Sequence, residues 1–216
     1  GGTELGAVIG TNSTGFSIPF LSAVTDCKTQ MLYTAAELQA IGFAGGNITQ
    51  LGIVLNSKGS AGSYENLTLK VAHTNLTTLR NLPFQTGLTQ VFQTPSYITV
   101  PGANMFTLQT PFAYDGSSNL LIEICYDNGI TNATGGSATN DFASSTNFGS
   151  FNDPATPVRS IWAVANGASC DQLNSGFTVS QQSGGNTYRP VLRLTASLTG
   201  TAIANTLGTG VQSLGP

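Results

Sequence analysis

The chain has 216 residues but only seven Lys or Arg and ten Asp or Glu, 8 % charged against roughly 25 % in an ordinary soluble protein. With a net charge of −3 and its basic residues scattered, it lacks the electrostatic footprint for nucleic acid, and no apolar run approaches the ~20 residues that span a bilayer. Its polar surface must be built from Thr, Ser, Asn, Gln and Gly, which fits extracellular β proteins better than cytosolic enzymes, and the weak mutual repulsion permits self-association.

Residues 1–15 are Gly-rich around the apolar patch Leu5-Gly6-Ala7-Val8-Ile9 and read as an N-terminal arm or an edge strand. No basic start followed by an apolar segment occurs there, the pattern of a mature, processed form. The domain proper is assigned to 16–196. Residues 15–24 are extended chain broken at Pro19, and 29–33 (TQMLY) is a strand. It leads into Thr34-Ala35-Ala36-Glu37, a capping box that starts a short helix over 35–41, closed by Gly42 as a left-handed cap. Period-two alternation follows in 48–55 (ITQLGIVL) and 66–74 (NLTLKVAHT), the latter placing Leu67, Leu69, Val71 and His73 on one face. Residues 89–94 and 97–100 are strands separated by Pro95, and 105–108 leads into the strongest strand signal of all, 120–126 (LLIEICY). Apolar residues on both faces of that segment predict a central strand covered on both sides. Glu123 in its middle must then find a partner or reach the rim.

Residues 129–157 are polar and turn-rich, a long surface excursion of the kind that carries function. Residues 160–164 (SIWAV) and 188–195 (YRPVLRLT) close the domain. Nine or ten short strands with frequent turns and one short helix predict an all-β fold, an antiparallel β-sandwich or jelly roll. Residues 197–216 (SLTGTAIANTLGTGVQSLGP) are uncharged and form a C-terminal tail. It is either a linker or a strand-donating arm, in which Thr201, Ala202, Ile203, Ala204 and Leu207 would add to an open sheet edge of a neighbouring copy.

The phrases TQMLYTAAEL, ITQLGIVL, NLTLKVAHT, TPFAYDGSSNLLIEICYDN and YRPVLRL, spread over roughly 29–194, together resemble a β-sandwich module of secreted bacterial cell-surface proteins of the type IX export route. TAAEL and YDGSSNLLIEICYDN are the most specific of them. The resemblance implies an exported, jelly-roll-like module of adhesive or structural surface proteins, and it carries over no catalytic residue.

Three cysteines without a CxxC or Cys/His cluster argue against zinc. Of the three possible pairings, Cys125 with Cys170 is preferred, because Cys170 lies in a turn-rich segment that a bridge would staple; three buried thiols are the alternative. His73 is the only histidine and reads as a packed, hydrogen-bonded residue rather than a triad member. No nucleophile elbow, zinc-protease or phosphate-loop motif occurs, and the carboxylates available for glycoside hydrolysis reduce to Glu123 with Asp127 or Asp115. No enzyme, cofactor or metal is therefore assigned. Asp115, Asp127, Asp141 and Asp153 are the conceivable calcium ligands, read in the first place as solvated turn residues. Phe142, Phe148 and Phe151, with Trp162, are candidate glycan contacts or loop anchors. Sequons begin at Asn12, Asn47, Asn66, Asn75 and Asn132, possible glycosylation acceptors in a secreted chain. The functional expectation is an extracellular structural subunit that assembles with copies of itself into a filament or surface layer. Its alternative is a carbohydrate-binding adhesin module using the 129–157 loops.

Overall fold

A computed structural model describes residues 4–11, 14–60, 62–129, 140–150, 152–173 and 182–198. In chain order the strands are β1 (Glu4–Ile9), β2 (Thr14–Phe16), β3 (Asp26–Tyr33), β4 (Gly46–Ser57), β5 (Tyr64–Thr74), β6 (Thr89–Tyr97) and β7 (Gly102–Tyr114). They continue as β8 (Asn119–Asp127), β9 (Phe142–Asn147), β10 (Ser160–Ala165), β11 (Gln182–Asn186), β12 (Tyr188–Pro190) and β13 (Leu192–Leu198). The one helix among the described residues, α1 (Ala35–Ala40), follows β3. Two antiparallel sheets form an all-β sandwich. One has the order β11-β10-β3-β8-β5-β6; the other is built around β4, with β7 on one side and β13 then β9 on the other, and runs outward to β1 and β12.

The helix begins as its sequence dictates. The Thr34 hydroxyl accepts from the Glu37 amide and the Glu37 carboxylate accepts from the Thr34 amide, so two orphan donors of the first turn are satisfied. Glu37 then does more than cap. Its carboxylate takes a bidentate pair of hydrogen bonds, 2.8 and 2.9 Å, from the fully buried Arg189, whose guanidinium lies 4.0 Å from the Tyr33 ring centroid. Helix, β3 and β12 are thereby tied at one point.

Strand β8 is buried on both faces over Leu120–Tyr126 and lies between β3 and β5. Leu120, Ile122, Ile124 and Tyr126 join Met31, Leu69 and Val71 in facing the other sheet, which contributes Ile48, Leu51, Ile53, Phe106 and Leu194. Strict alternation would place Ile48 and Leu51 on opposite faces. A register shift at Thr49 inserts one residue, and both point inward.

The structure departs from the sequence reading in three places. Strand β6 runs through Pro95, pairing with β5 on both sides of it (Leu67 with Thr94, Glu65 with Ser96); on a strand at the sheet edge the lost amide is tolerated. The 129–157 stretch is not all loop, because β9 lies within it. Its Ser144 and Ser145 are buried, and the hydroxyl of Ser144 is satisfied by Asn56, so a strand built from Ser and Thr has loop-like composition. Finally, β13 extends to Leu198, with Ser197 opposite Asn47 and Glu4.

The registers give the sandwich two unlike ends. One carries α1, the β7–β8 turn and the point where β13 finishes. The loops after β2, β4, β6, β8 and β10 gather at the other, the loop end.

Candidate functional site

The outward face of the six-stranded sheet is set by parity. With Cys27, Thr29 and Met31 turned inward, Asp26, Lys28 and Gln30 of β3 face out, as do Glu123, Cys125 and Asp127 of β8 and Asn66, Thr68 and Lys70 of β5. Adding Asp171 from the loop after β10, this region holds six of the chain's seventeen charged side chains, four acids against two lysines.

Glu123 has its partners. Gln30 donates from Nε2 to its Oε2 at 2.8 Å, and Lys70 Nζ stands 3.5 Å from Oε1. Gln30 also exchanges two 2.8 Å hydrogen bonds with the backbone of Gln85, fixing the β5–β6 loop over the sheet. Phe84 of that loop lies 5.5 Å from Lys28 Nζ, and burial pushes the Lys28 ammonium below its ordinary pKa against the pull of Glu123. Asp26 is fully buried. Its Oδ2 accepts from the Thr25 hydroxyl (2.7 Å) and the Ala168 amide (2.8 Å), which pins the β10–β11 loop. Burial raises the Asp26 carboxyl above its usual range; those hydrogen bonds oppose the rise and Asp127, its cross-strand neighbour, adds to it.

The same loop is held covalently by the Cys125–Cys170 disulfide, so the preferred pairing is the one present; Cys27 is a buried free thiol. The pinned loop and β6 stand as two walls above β5 and leave a groove of about 270 Å³. Asn66, Thr68 and Lys70 form its floor, Gln90 and Gln93 one wall, and Asp127 with residues 169–171 the other.

The remaining residues singled out by sequence do not converge. Asp115 organises the exposed β7–β8 turn, accepting from the amides of Ser117 and Ser118, and His73 accepts from the Asp115 amide beside the Phe112 ring. Glu123 and Asp127 are separated by about 13 Å of strand, beyond the spacing of a glycosidase pair. Asp153 caps a turn on the surface. Asp141 is the exception to the reading of solvated turn residues: it is fully buried at the loop end. It accepts from the Tyr64 hydroxyl (3.0 Å), the Thr99 hydroxyl and the Gly59 amide (2.7 Å), with Lys58 Nζ at 3.8 Å. Among the described residues, no three His, Cys, Asp or Glu side chains are placed to hold a metal ion.

Phe142 is 40 % exposed at the loop end, whereas Phe148 is half-buried, 5.0 Å from the Arg189 guanidinium and 5.4 Å from that of Arg159. Trp162 packs against the core. Asn47, Asn66 and Asn75 are exposed. Phe151, Asn12, Asn132 and the tail positions Thr201, Ala202, Ile203, Ala204 and Leu207 lie outside the described residues.

Sequence reasoning missed the groove and the charges beneath it. The available signal was the spacing by two of Asp26, Lys28 and Gln30, matched by Asn66, Thr68 and Lys70. What it lacked was the register that sets the two rows on either side of Glu123.

The architecture defines the chain as an all-β sandwich, with one short helix among the described residues and one disulfide. Comparison with family models, with curated proteins and with solved structures finds no match. No described helix is long and apolar enough to cross a membrane.

Proposed function

We propose that this protein is a non-enzymatic extracellular structural subunit, a β-sandwich that assembles with copies of itself into a filament or surface layer. The observation that carries this reading is the state of the sheet edges. Edge strands are normally guarded by Pro, Lys or shortness. Here β6 has Pro95, β7 has Pro111, and β12 is three residues long with Pro190, whereas β1 and the shorter, glycine-containing β11 have neither Pro nor Lys. Among the described residues β1 pairs with β13 alone, Glu4 is its only charge, and Val8 faces outward, 43 % exposed. Such an edge accepts a further strand through main-chain hydrogen bonds. The uncharged segment 199–216 begins where β13 ends, and we assign it as the donor to β1 of the next copy. A head-to-tail contact between unlike surfaces propagates into a filament where its rotation does not close a ring, and we assign it the open form. The type IX resemblance and the oxidised Cys125–Cys170 pair support an extracellular setting.

Light scattering and electron microscopy of the full chain, of a form ending at Leu198, and of Val8→Lys test the proposal. The full chain should form polymers, and the other two should stay folded and monomeric. A full chain that remains monomeric at millimolar concentration, or a shortened chain that builds the same assemblies, overturns it.

A further inference from the structure

We propose that the groove above β5 binds a neutral, hydroxyl-rich ligand, a glycan chain lying along the strand, through a site separate from the assembly edge. Apart from the disulfide, every lining side chain is an amide, a hydroxyl, a carboxylate or an ammonium group. No aliphatic or aromatic side chain lines it, so what apolar surface it has comes from the stems of these polar groups and the disulfide, a poor match for a wholly apolar ligand. Two carboxylates, Asp127 and Asp171, outweigh the one ammonium of Lys70, so phosphates and other anions are disfavoured electrostatically. A ligand whose own surface is a dense array of hydroxyls, each both donor and acceptor, matches this mixture. The volume of about 270 Å³ equals some nine waters at ~30 Å³ each, room for a sugar ring rather than a solitary ion.

The groove is also organised before any ligand arrives. Its outer wall is held by the disulfide and by Asp26 on the Ala168 amide, and the Gln172 side chain caps the turn by accepting from the Ser169 amide. The Gln109 side chain clamps both backbone groups of Gln93, and the Gln93 Oε1 in turn accepts from Gln90. On the floor, Asn66 sits at φ +49° and donates to the Asp127 carbonyl at 3.2 Å. Asn66, Thr68 and Lys70 recur every second residue, roughly 7 Å apart, a row of about 13 Å that suits an extended chain of repeating polar groups. Pre-fixed hydrogen-bonding groups lower the ordering cost of binding, which is what a hydroxyl-rich ligand with little apolar surface requires.

The test uses the full chain on a printed array of neutral and anionic oligosaccharides, with titration calorimetry on the strongest neutral binder. Gln93→Ala and Asp171→Asn alter exposed wall side chains, and Phe142→Ala serves as the control at the loop end. Each wall variant should weaken binding by about ten-fold, the worth of one to two hydrogen bonds, with an unchanged unfolding temperature, and Phe142→Ala should bind as the parent does. Three results would each overturn the proposal: no neutral oligosaccharide held above background, binding confined to anionic ones, or affinity retained by both wall variants and lost in Phe142→Ala. The form ending at Leu198 should bind unchanged, which separates this site from the assembly reading.

Discussion

Replacing Glu37 by Gln removes the charge of the helix cap while keeping its shape and the capping geometry, since Gln also serves at this position. Burial alone would raise the Glu37 carboxyl, but hydrogen bonding and charge from Arg189, helped by Thr34, hold it at about 2 against an ordinary value of 4.5. A shift of that size favours the ionised form by about 3 kcal/mol, and screening at a side chain 27 % exposed trims this to about 2 kcal/mol. The partner's situation gives a similar size. Arg189 is wholly buried, and removing one member of a buried pair costs about 3–5 kcal/mol. We expect Glu37→Gln to lose about 2–3 kcal/mol and Glu37→Ala about 1 kcal/mol more, through the lost cap. Urea unfolding followed by Trp162 fluorescence reads both. The pH dependence supplies a second reading. A carboxyl whose pKa is lower folded than unfolded stabilises above its unfolded value, so the parent should lose this contribution as pH falls from about 4.5 to about 2, and Glu37→Gln should not. A loss below about 1 kcal/mol at neutral pH, or equal acid sensitivity in parent and variant, would refute the reasoning.

Reducing the disulfide, or replacing Cys125 and Cys170 by Ser, frees a 45-residue separation and should cost about 4 kcal/mol in the chain-entropy model; unchanged urea midpoints would contradict it. Cys27 should resist iodoacetamide until the chain unfolds, since burial pushes its thiol to about 12; rapid labelling of the native protein would be inconsistent with that burial. Gly46→Ala should cost about 3 kcal/mol, because at φ +139° its Cβ would collide with the Ser197 carbonyl, and a near-neutral thermal shift would mean the β4–β13 contact is looser than described. Asp141→Ala leaves the Thr99 hydroxyl and the Gly59 amide without their acceptor, while the Tyr64 hydroxyl keeps the Phe20 carbonyl at 3.1 Å, and should cost about 3 kcal/mol. Burial first, and then Asp141, hold the Tyr64 phenol far above its usual range, so ultraviolet titration should show it ionising at lower pH in the variant than in the parent.

Much of the fold was legible because local and long-range signals agree along this chain. The Thr34–Glu37 box, Gly42 at φ +84° and the two-faced apolar run of β8 each have one physical reading, and each stands as read. The failures share a cause. Strand β9 and the buried Asp141 are made of side chains that loops also favour, and only distant partners, Asn56 for Ser144 and Tyr64 for Asp141, make their burial tolerable. Such partners, 77 and 88 residues away, leave no local trace. The groove was hidden for a related reason. Its walls come from β6 and from the β10–β11 loop, the latter held to β8 by a disulfide that the sequence allowed but whose neighbourhood it did not describe.

Five of the seventeen charged side chains (Asp26, Lys28, Glu123, Asp141 and Arg189) are buried. What remains outside is so sparsely ionic that dissolved salt has little to screen. In the assembly proposed above, contacts between copies would depend on amides, hydroxyls and exposed backbone, groups that neither a tenfold change in ionic strength nor a modest change in pH alters. An object built this way would keep its cohesion from fresh water to brine. The agents that loosen it would be those that compete for hydrogen bonds, such as urea, rather than those that neutralise charge.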